Sequence, residues 1–498
     1  MRSLFFTLWC SLAVAGYHPP ITAETTLRVG VSALPLAQGN PFGTFRMPTI
    51  TTMAAIFDGL TRLDRDGNAQ PALATSWRNV DQLTWVFTLR EGTTFSNGAP
   101  LTAEAVVNAV TYLAGPGPPF ENTRREMTFF AAARAIDAHT VEIITRSPMP
   151  LLPRYVSSLL IPEPGAWRAL GREGFTRSPV GTGPFRVESW QPSKVTLTAF
   201  KESWRPPLVD RVEITPIPDP TARVQGLLSG HLDLITDIGP AEIDSVERAG
   251  GKGVSWFSGA VQGISLAVTR PGPFQDVRVR QALNMAVNRQ LIIDALLAGT
   301  TVPAFQPAPR GTIGYNPDIQ PYSYDPQRAR ALLASAGYPD GFSFVMETTA
   351  TAGGSADVYQ QVASDLRQVG VDMEIRVVPT AQFMKNIIQT GNYADAIHMV
   401  WPAWPILDAA LVFKFHSCLH HVAWYCDESI MPKIKTALVE WDRAKAVSLR
   451  QEIMSYYHEQ APAIFLFEQA MFAGLSTRTS GFENVFGFVH YEKIEIAK

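Results

Sequence analysis

Cysteine, blocks of like charge and long apolar runs are all scarce in this sequence. Three cysteines occur in 498 residues, too few for a framework of several disulfides or a zinc site made of cysteines alone. After the first two dozen residues, no apolar run approaches the roughly 20 residues that a membrane-spanning helix needs. The 42 lysines and arginines nearly balance the 45 acidic residues and are scattered along the chain, which argues against nucleic acid as a partner.

The sequence also lacks the motifs of secreted hydrolases and nucleotide-binding enzymes. The segment His458–Pro462 has one of the two histidines that a zincin helix requires, and neither a Gly-x-Ser-x-Gly elbow nor a P-loop occurs. Gly181 and Gly183 are followed by Pro184, which removes a backbone donor and favours a tight turn over a phosphate-binding loop. We therefore predict no catalytic residue and no enzymatic activity. A secreted hydrolase with a zinc site is the competing class.

The first 23 residues have the pattern of a signal peptide. Arg2 provides a positive charge, Leu4–Ala15 forms an apolar stretch too short to span a bilayer, and Ala23 is the small residue that precedes cleavage. Cys10 lies inside the apolar stretch and directly follows the bulky Trp9, where a lipid-modified cysteine would follow a small residue. We predict that this segment is removed, that the mature chain begins at Glu24, and that the protein is periplasmic.

The two remaining cysteines, Cys418 and Cys426, then lie in an oxidising compartment. Only seven residues separate them, and a short loop brings two Cα atoms within the distance that a disulfide requires. The pattern favours a disulfide over two free thiols or a pair of metal ligands, because the mature chain has no third cysteine to complete a thiolate site.

The length of the mature chain exceeds the size at which one hydrophobic core stops growing, so two or more domains are expected. Alternating strand patterns such as Leu27–Val31 dominate the first half. Beyond Pro271, long amphipathic helices alternate with strands, which is typical of α/β layers. The predicted helices are Val277–Ala298, Pro326–Ala336, Ser355–Val369, Ala381–Thr390 and Met431–Gln460, and the predicted strands are Phe342–Glu347, Met373–Val378, Ala463–Phe467 and Val489–Ile494.

The most distinctive stretch is a strand followed by a helix. Trp85–Gly92 alternates apolar and polar residues as a strand does, and Asn97-Gly98 marks the turn that follows. A helix is predicted next, with Thr102 as its N-cap and Glu104 in its first turn. In sequence, this strand and helix closely resemble the signature of the family 5 extracytoplasmic solute-binding proteins, the receptors of peptide and nickel ABC importers.

The resemblance extends over nearly the whole mature chain. It includes Pro71–Trp77, Gly181–Phe185, Ile217–Arg223, Ser229–Asp233, Val277–Ala286, Tyr324–Gln327 and Ala336–Gly341. It implies an α/β fold of two lobes, the type II periplasmic-binding-protein fold of the large peptide-binding class, with an extra subdomain in the first lobe. On this basis lobe I comprises residues 24–60, 178–272 and 469–498, its subdomain comprises residues 61–177, and lobe II comprises residues 273–468.

The resemblance also implies a function. The protein is expected to capture a peptide or peptide-like solute between its lobes and to deliver it to the permease and ATPase subunits of an ABC importer. Closure about hinge segments near Ser178–Thr182 and Pro271–Phe274 would exclude water from the solute. Such a receptor needs no cofactor, and we expect it to act as a monomer.

The family carries its ligand-facing strand and loop at residues 394–429 of this sequence. In peptide-binding relatives, an aspartate in this loop holds the amino group of the peptide. Here Trp404 and Leu407 stand where the resemblance predicts carboxylates, and Asp408 lies one position away. Amphipathic aromatic rings are abundant instead, and such rings line tolerant pockets. We therefore predict that the solute contacts Trp401, Trp404, His398, Asp408 and Trp424.

The alternative interpretation is a receptor for a nickel or other metal chelate. His398 and Trp401 resemble the histidine and tryptophan that precede the ligand loop in nickel-binding relatives. In those receptors a histidine farther along completes the coordination of the metal. The alignment points to His420, with His416 and His421 as further candidates, and neutral imidazole is a good nickel ligand.

Overall fold

A computed structural model describes residues 24–43, 49–118, 121–349, 356–404, 406–413 and 416–497. The predicted signal peptide, which contains Cys10, lies outside these described residues. Within the described part of the chain, no helix is both long enough and apolar enough to cross a membrane.

Strands and helices alternate along most of the chain, as expected of an α/β fold. The strands of the described residues are β1 (Thr26–Val31), β2 (Thr61–Leu63), β3 (Ala69–Pro71), β4 (Ala74–Asn79), β5 (Thr84–Leu89), β6 (Phe130–Ala135), β7 (Thr140–Thr145), β8 (Phe185–Gln191), β9 (Lys194–Ala199), β10 (Arg211–Pro216), β11 (Leu234–Thr236), β12 (Lys252–Leu266), β13 (Phe342–Thr349), β14 (Val371–Val378), β15 (Ala396–Pro402), β16 (Ala463–Leu475), β17 (Thr479–Ser480), β18 (Asn484–Val485), β19 (Phe488–Val489) and β20 (Glu495–Ile496). The α-helices are α1 (Thr49–Met53), α2 (Ala103–Ala114), α3 (Asn122–Glu126), α4 (Leu152–Tyr155), α5 (Pro164–Arg177), α6 (Pro220–Leu228), α7 (Pro240–Arg248), α8 (Val277–Ala286), α9 (Arg289–Leu296), α10 (Pro326–Ser335), α11 (Ala356–Arg367), α12 (Thr380–Lys385), α13 (Ala410–Phe413), α14 (Met431–Val439) and α15 (Arg443–Gln460). A π-helical turn covers Asn386–Thr390, and 3₁₀ turns cover Pro273–Gln275 and Tyr491–Lys493.

One ten-stranded mixed sheet extends through the molecule in the order β14-β13-β15-β12-β16-β11-β1-β10-β9-β8. We call the part of the molecule built around β11, β1, β10, β9 and β8 the first half, and there β1 runs parallel to both β10 and β11. We call the part built around β14, β13 and β15 the second half, and there β13 runs parallel to both β14 and β15. The predicted α/β class is confirmed by this sheet and by the helices that alternate with its strands.

The long strands β12 and β16 join the two halves of the sheet. Their pairing runs from Lys252 to Phe257 of β12 in the first half, breaks at a bulge, and resumes at Val261 in the second half. From Ala260 onwards β12 also pairs with β15. The bulge contains Gly259, whose φ of 75° lies in the left-handed region that favours glycine. The chain therefore crosses between the halves at residues 258–260.

The segments predicted as hinges lie elsewhere. Thr182 is buried within the first half, and Phe274 belongs to a hydrophobic core of the second half. Each predicted hinge segment therefore lies inside one half of the molecule. A strand pair carries the crossing because β12 and β16 are long enough to take part in both halves.

Separate hydrophobic cores lie on the two sides of the crossing. The first contains Leu27 of β1 together with Phe87 and Val141 of an antiparallel four-stranded sheet, β4-β5-β7-β6. That small sheet lies inside the predicted subdomain and shares the core of the first half. In the second half, β15 separates two cores, with Ala396 in one and Ile397 in the other. Successive side chains of a strand point to opposite faces, so a buried strand serves both cores.

Two of the predicted helices are each a pair of helices. Val277–Ala298 divides into α8 and α9 because Asn288 caps a new helix, its side chain accepting a backbone hydrogen bond from the first turn. Met431–Gln460 divides into α14 and α15 because Asp442 does the same. Thr102 stands at the N-cap position of α2 as predicted, although its side chain makes no capping bond.

Candidate functional site

The carboxyl ends of parallel strands from the two halves face each other near the crossing. Ser32 follows β1 and Asp237 follows β11, next to the part of β16 that approaches the crossing. On the other side, β15 ends at Pro402, which pairs with Ala260 of β12. Ligands of open α/β sheets bind outside the carboxyl ends of the strands. We call the interface between these two edges the seam, and it is the candidate solute site.

The turn after β15 reaches across the seam. Leu407 has a left-handed φ of 49°, and its side chain lies so close to Gly67 of the first half that a Cβ there would collide with it. Arg154 of the first half donates from Nη1 to the carbonyl oxygen of Ile406 at 3.0 Å and from Nη2 to Asn68 Oδ1 at 3.3 Å. The described part of this turn therefore contacts the first half through both apolar and polar groups.

Trp404 lies in the same turn and is half-buried. It packs against the first-half core, although it follows a strand of the second half. A Cβ at Gly259 would lie 3.4 Å from the Cβ of Trp404, which places this residue over the crossing strands. Among the predicted solute contacts, Trp404 is therefore the aromatic residue that stands at the seam.

The carboxylate of Asp408 is already engaged in a buried ion pair with Arg450. Its Oδ1 accepts from Arg450 Nε at 2.7 Å and its Oδ2 accepts from Arg450 Nη2 at 3.1 Å. The backbone of Ala410 also donates to Oδ1, and Asp408 is only 2% exposed. Removal of one partner would leave a buried charge, so this pair fixes the end of the turn. The structure thus places the predicted contact Asp408 in a supporting position behind the seam.

Trp401 and Trp424 belong to a core of the second half and are almost completely buried. Both indole groups donate to His416 Nε2, Trp401 at 2.5 Å and Trp424 at 3.3 Å. His416 is itself fully buried, and burial lowers its pKa to about 3, so it is a neutral acceptor at neutral pH. These three predicted site residues form a cluster that supports the turn from inside the core.

His398 lies on the opposite face of β15 from Trp401. The two residues are three positions apart, and side chains of a strand alternate with a period of two. His398 stacks on Phe383 with ring centroids 4.6 Å apart, and burial lowers its pKa to about 4. His398 and Trp401 therefore do not share one surface.

The three histidines predicted as metal ligands do not converge on one point. His416 is in the core, His420 bonds locally to Val422 through Nδ1, and the exposed His421 stacks on His420 at 5.2 Å. In the described residues, the one group of three or more possible ligands close enough to share an ion is Cys418, Cys426 and Glu428. A disulfide joins these two cysteines, which confirms the predicted bridge and leaves no thiolate to bind a metal.

Another cluster of polar groups lies inside the first half. A cavity of about 50 Å³ is lined in part by Asp58, Arg62, Arg205 and His490. Arg205 pairs with Asp58 at 2.8 Å and with Glu492 at 2.7 Å. The cavity has room for a few water molecules and its charges are paired internally, so this cluster stabilises the fold.

Sequence reasoning assigned no role to two charged residues of the seam. Arg154 is the one charged residue in the apolar stretch 149–162, an unusual position that is its only signal. Asp237 directly follows a short buried strand, and its position at a carboxyl edge depends on the parallel pairing of that strand with β1. Local sequence reveals neither the pairing of β11 with β1 nor the contact of the second half with Arg154.

The sequence and the fold both match known proteins. Residues 68–418 match the family described as bacterial extracellular solute-binding proteins, family 5 Middle. The chain is 28% identical to the glutathione-binding protein GsiB of Salmonella typhimurium over 452 residues, which cover 86% of each protein.

Solved structures with this fold include two bacterial proteins in complex with small ligands. The periplasmic binding protein DppA of Helicobacter pylori, in complex with the peptide STSA, superposes with a TM-score of 0.79 at 22% identity, covering 95% of this chain and 99% of that one. NikA of Staphylococcus aureus, in complex with Ni(L-His)2, superposes with a TM-score of 0.78 at 19% identity, covering 95% and 100%. The chain therefore belongs to the bacterial extracellular solute-binding proteins of family 5, and it is a solute-binding component of an ABC importer and not an enzyme, as the sequence predicts.

Proposed function

We propose that the solute of this binding protein is a peptide or peptide-like molecule that is captured at the seam. One observation carries the proposal. The carboxyl edges of the two halves face each other where β12 and β16 cross between them, and the turn after β15 contacts the first half. Closure of this interface removes solvent from whatever lies between the edges, which strengthens polar contacts there. The bound form is then the one presented to the permease and ATPase subunits.

The charge at the seam suits a solute that carries a carboxylate. Arg154 is 7% exposed, and its recorded partners are a carbonyl oxygen and an amide oxygen. No carboxylate of the described residues lies within 4 Å of its guanidinium. Arginine forms its strongest hydrogen bonds with carboxylates, so a peptide C-terminus is favoured beside it.

Two observations favour a peptide over a metal chelate. The histidines available for coordination do not converge, and the neighbouring cysteines are joined to each other. The most similar curated relatives include a glutathione-binding protein, and glutathione is itself a small peptide. A chelate receptor would need imidazoles that face the seam, whereas His416 and His398 face hydrophobic cores.

The domain organisation that we propose keeps the predicted lobes with one change. Lobe I and its subdomain comprise the first-half segments, and lobe II begins at the crossing, because Val261 already packs in a second-half core. The C-terminal segment returns to lobe I, where Tyr491 and Ile494 join the first core. We also propose export with removal of residues 1–23 and action as a monomer in the periplasm.

Calorimetry with defined probes tests the proposal. Purified protein is titrated with glutathione, with trialanine and with a nickel–histidine chelate, and native mass spectrometry identifies any co-purified solute and the mass of the mature chain. We expect binding of at least one peptide and no binding of the chelate. Trp404→Ala should weaken peptide binding about tenfold, whereas Trp404→Phe should retain most of it. Binding of the chelate alone would reject the proposal.

A further inference from the structure

Asp237 has an unusual backbone at the carboxyl edge of the first half. Its φ is 56°, which is uncommon for a residue other than glycine and persists where surrounding structure holds it. Arg223 Nη2 donates to the Asp237 carbonyl oxygen. Ser32 donates to the Asp237 carboxylate from its backbone N at 3.4 Å and from its Oγ at 2.9 Å. Contacts from α6 and from the end of β1 therefore hold both the backbone and the side chain.

The carboxylate of Asp237 is engaged on one side only. Oδ2 accepts both bonds from Ser32 and a third from Thr236 Oγ1 at 3.1 Å. Across the described ranges of the chain, Oδ1 has no recorded donor, and no cationic side chain lies within 4 Å of the carboxylate. The side chain is half-buried at the seam. A carboxylate oxygen of fixed orientation is thus left for a further partner.

Other aspartates near strand ends differ from Asp237 in this respect. Asp233, Asp408 and Asp58 each pair with at least one arginine, and each uses both carboxylate oxygens. In each of these three aspartates, an arginine neutralises the charge of the carboxylate and both oxygens accept hydrogen bonds. In Asp237, the bonds from Ser32 and Thr236 all go to Oδ2, and no arginine pairs with the carboxylate within the described residues.

We infer that Asp237 anchors a positively charged nitrogen of the solute, an ammonium or a guanidinium, from the first half of the molecule. The inference rests on the proposed function of the seam and specifies the chemistry of its solute. A charge-assisted hydrogen bond to an oriented carboxylate is strong and directional, and Ser32 supplies the orientation. In the second half, Trp404 carries no charge and the carboxylate of Asp408 is already paired with Arg450. The carboxylate that contacts the solute therefore comes from the edge of the first half.

The pair Asp237→Asn and Asp244→Asn tests this assignment. Asparagine tolerates a left-handed backbone and keeps an acceptor for Ser32 while the charge is removed. Asp244→Asn removes the same charge from an exposed position of α7 and serves as the matched control. Calorimetry compares trialanine with N-acetyl-trialanine on the wild type and both variants, and thermal unfolding reports whether each variant is folded.

The wild type should bind trialanine about tenfold to a hundredfold more tightly than the acetylated peptide. Asp237→Asn should lose this preference, and Asp244→Asn should keep it. Equal binding of the two peptides by the wild type, or a preference that survives in Asp237→Asn, overturns the inference while peptide capture itself stands.

Failure of the proposed function has a different signature. If the wild type binds neither peptide, peptide capture is rejected, and native mass spectrometry of the co-purified solute then decides the role of Asp237. A non-peptide solute with a cationic nitrogen that is lost from Asp237→Asn supports the anchor. A solute without such a nitrogen, or one retained by the variant, overturns it.

Discussion

At the scale of single residues, burial sets the state of several ionisable groups in the second half. Arg289 is buried, which lowers its pKa to about 10, and it is held by the carbonyl oxygens of Phe465 and Asn284 instead of a carboxylate. His416 is held by two indole donors and His398 by a stacked ring. Neutral histidine is therefore the form that the fold stabilises at both positions.

These histidines predict how stability depends on pH. The folded pKa values of about 3 for His416 and about 4 for His398 lie below the value of about 6.5 for an unfolded chain. The unfolded state thus binds more protons, so the stabilisation is complete above about pH 6.5 and declines as the pH falls towards the folded values. Each histidine contributes a slope of up to about 1.4 kcal/mol per pH unit.

Urea unfolding between about pH 7 and pH 5 measures this slope. In the His398→Gln variant, the free energy of unfolding should depend less steeply on pH, because one histidine no longer contributes to the slope. The variant His421→Gln, at an exposed position, should retain the wild-type slope. A free energy of unfolding that is independent of pH over this range would contradict the neutral buried state.

At the scale of elements, the local sequence was enough to predict those features whose interacting residues lie close together along the chain. The strand predicted at Trp85–Gly92 forms most of β5, and the cysteine pair is bridged, because each depends on neighbours along the chain. The ends of β12 and β16 were not predicted, since strands from both halves determine how far each extends. The predicted strand Val489–Ile494 is wrong over most of its length, because only Val489 belongs to a strand and Tyr491–Lys493 forms a 3₁₀ turn for which the sequence offers no strong signal.

The candidate site was predictable only in part for the same reason. The sequence predicts the turn after β15 as part of the ligand-facing segment, and Trp404 of this turn lies at the seam. The resemblance to nickel-binding relatives placed His398 and Trp401 together, whereas the period of the strand puts their side chains on opposite faces of β15. Arg154 and Asp237 come from segments distant in sequence, so only the folded arrangement brings them to the seam.

The disulfide element gives a further prediction. Replacing both Cys418 and Cys426 with serine should lower the free energy of unfolding by about 2 to 3 kcal/mol in the chain-entropy account, because the unfolded loop gains freedom. The same loop carries Trp424, which donates to His416. Denaturant unfolding of the double variant should match that of reduced wild-type protein, and an unchanged midpoint in both would rule out a stabilising role.

At the scale of the whole molecule, the halves also touch away from the strand ends. Trp441 lies in the connection between α14 and α15, and the helices on either side of it contribute to a second-half core. Its ring nevertheless packs against the first-half core, with its centroid 5.9 Å from that of Trp85. Trp85 belongs to the small antiparallel sheet, so this sheet takes part in the contact between the halves.

We therefore expect Trp441→Ala to weaken solute binding without a change in any solute contact. The Trp441–Trp85 contact requires the halves to be this close, so its loss lowers the population of the closed form from which solute dissociates slowly. An aromatic pair of this kind contributes about 0.5 to 1.5 kcal/mol, which corresponds to a loss of affinity of about twofold to tenfold. Small-angle scattering should show a larger radius of gyration for the variant without solute and the wild-type value at saturation. Trp441→Phe should behave as the wild type, and a loss of affinity with unchanged scattering would show that the contact does not govern closure.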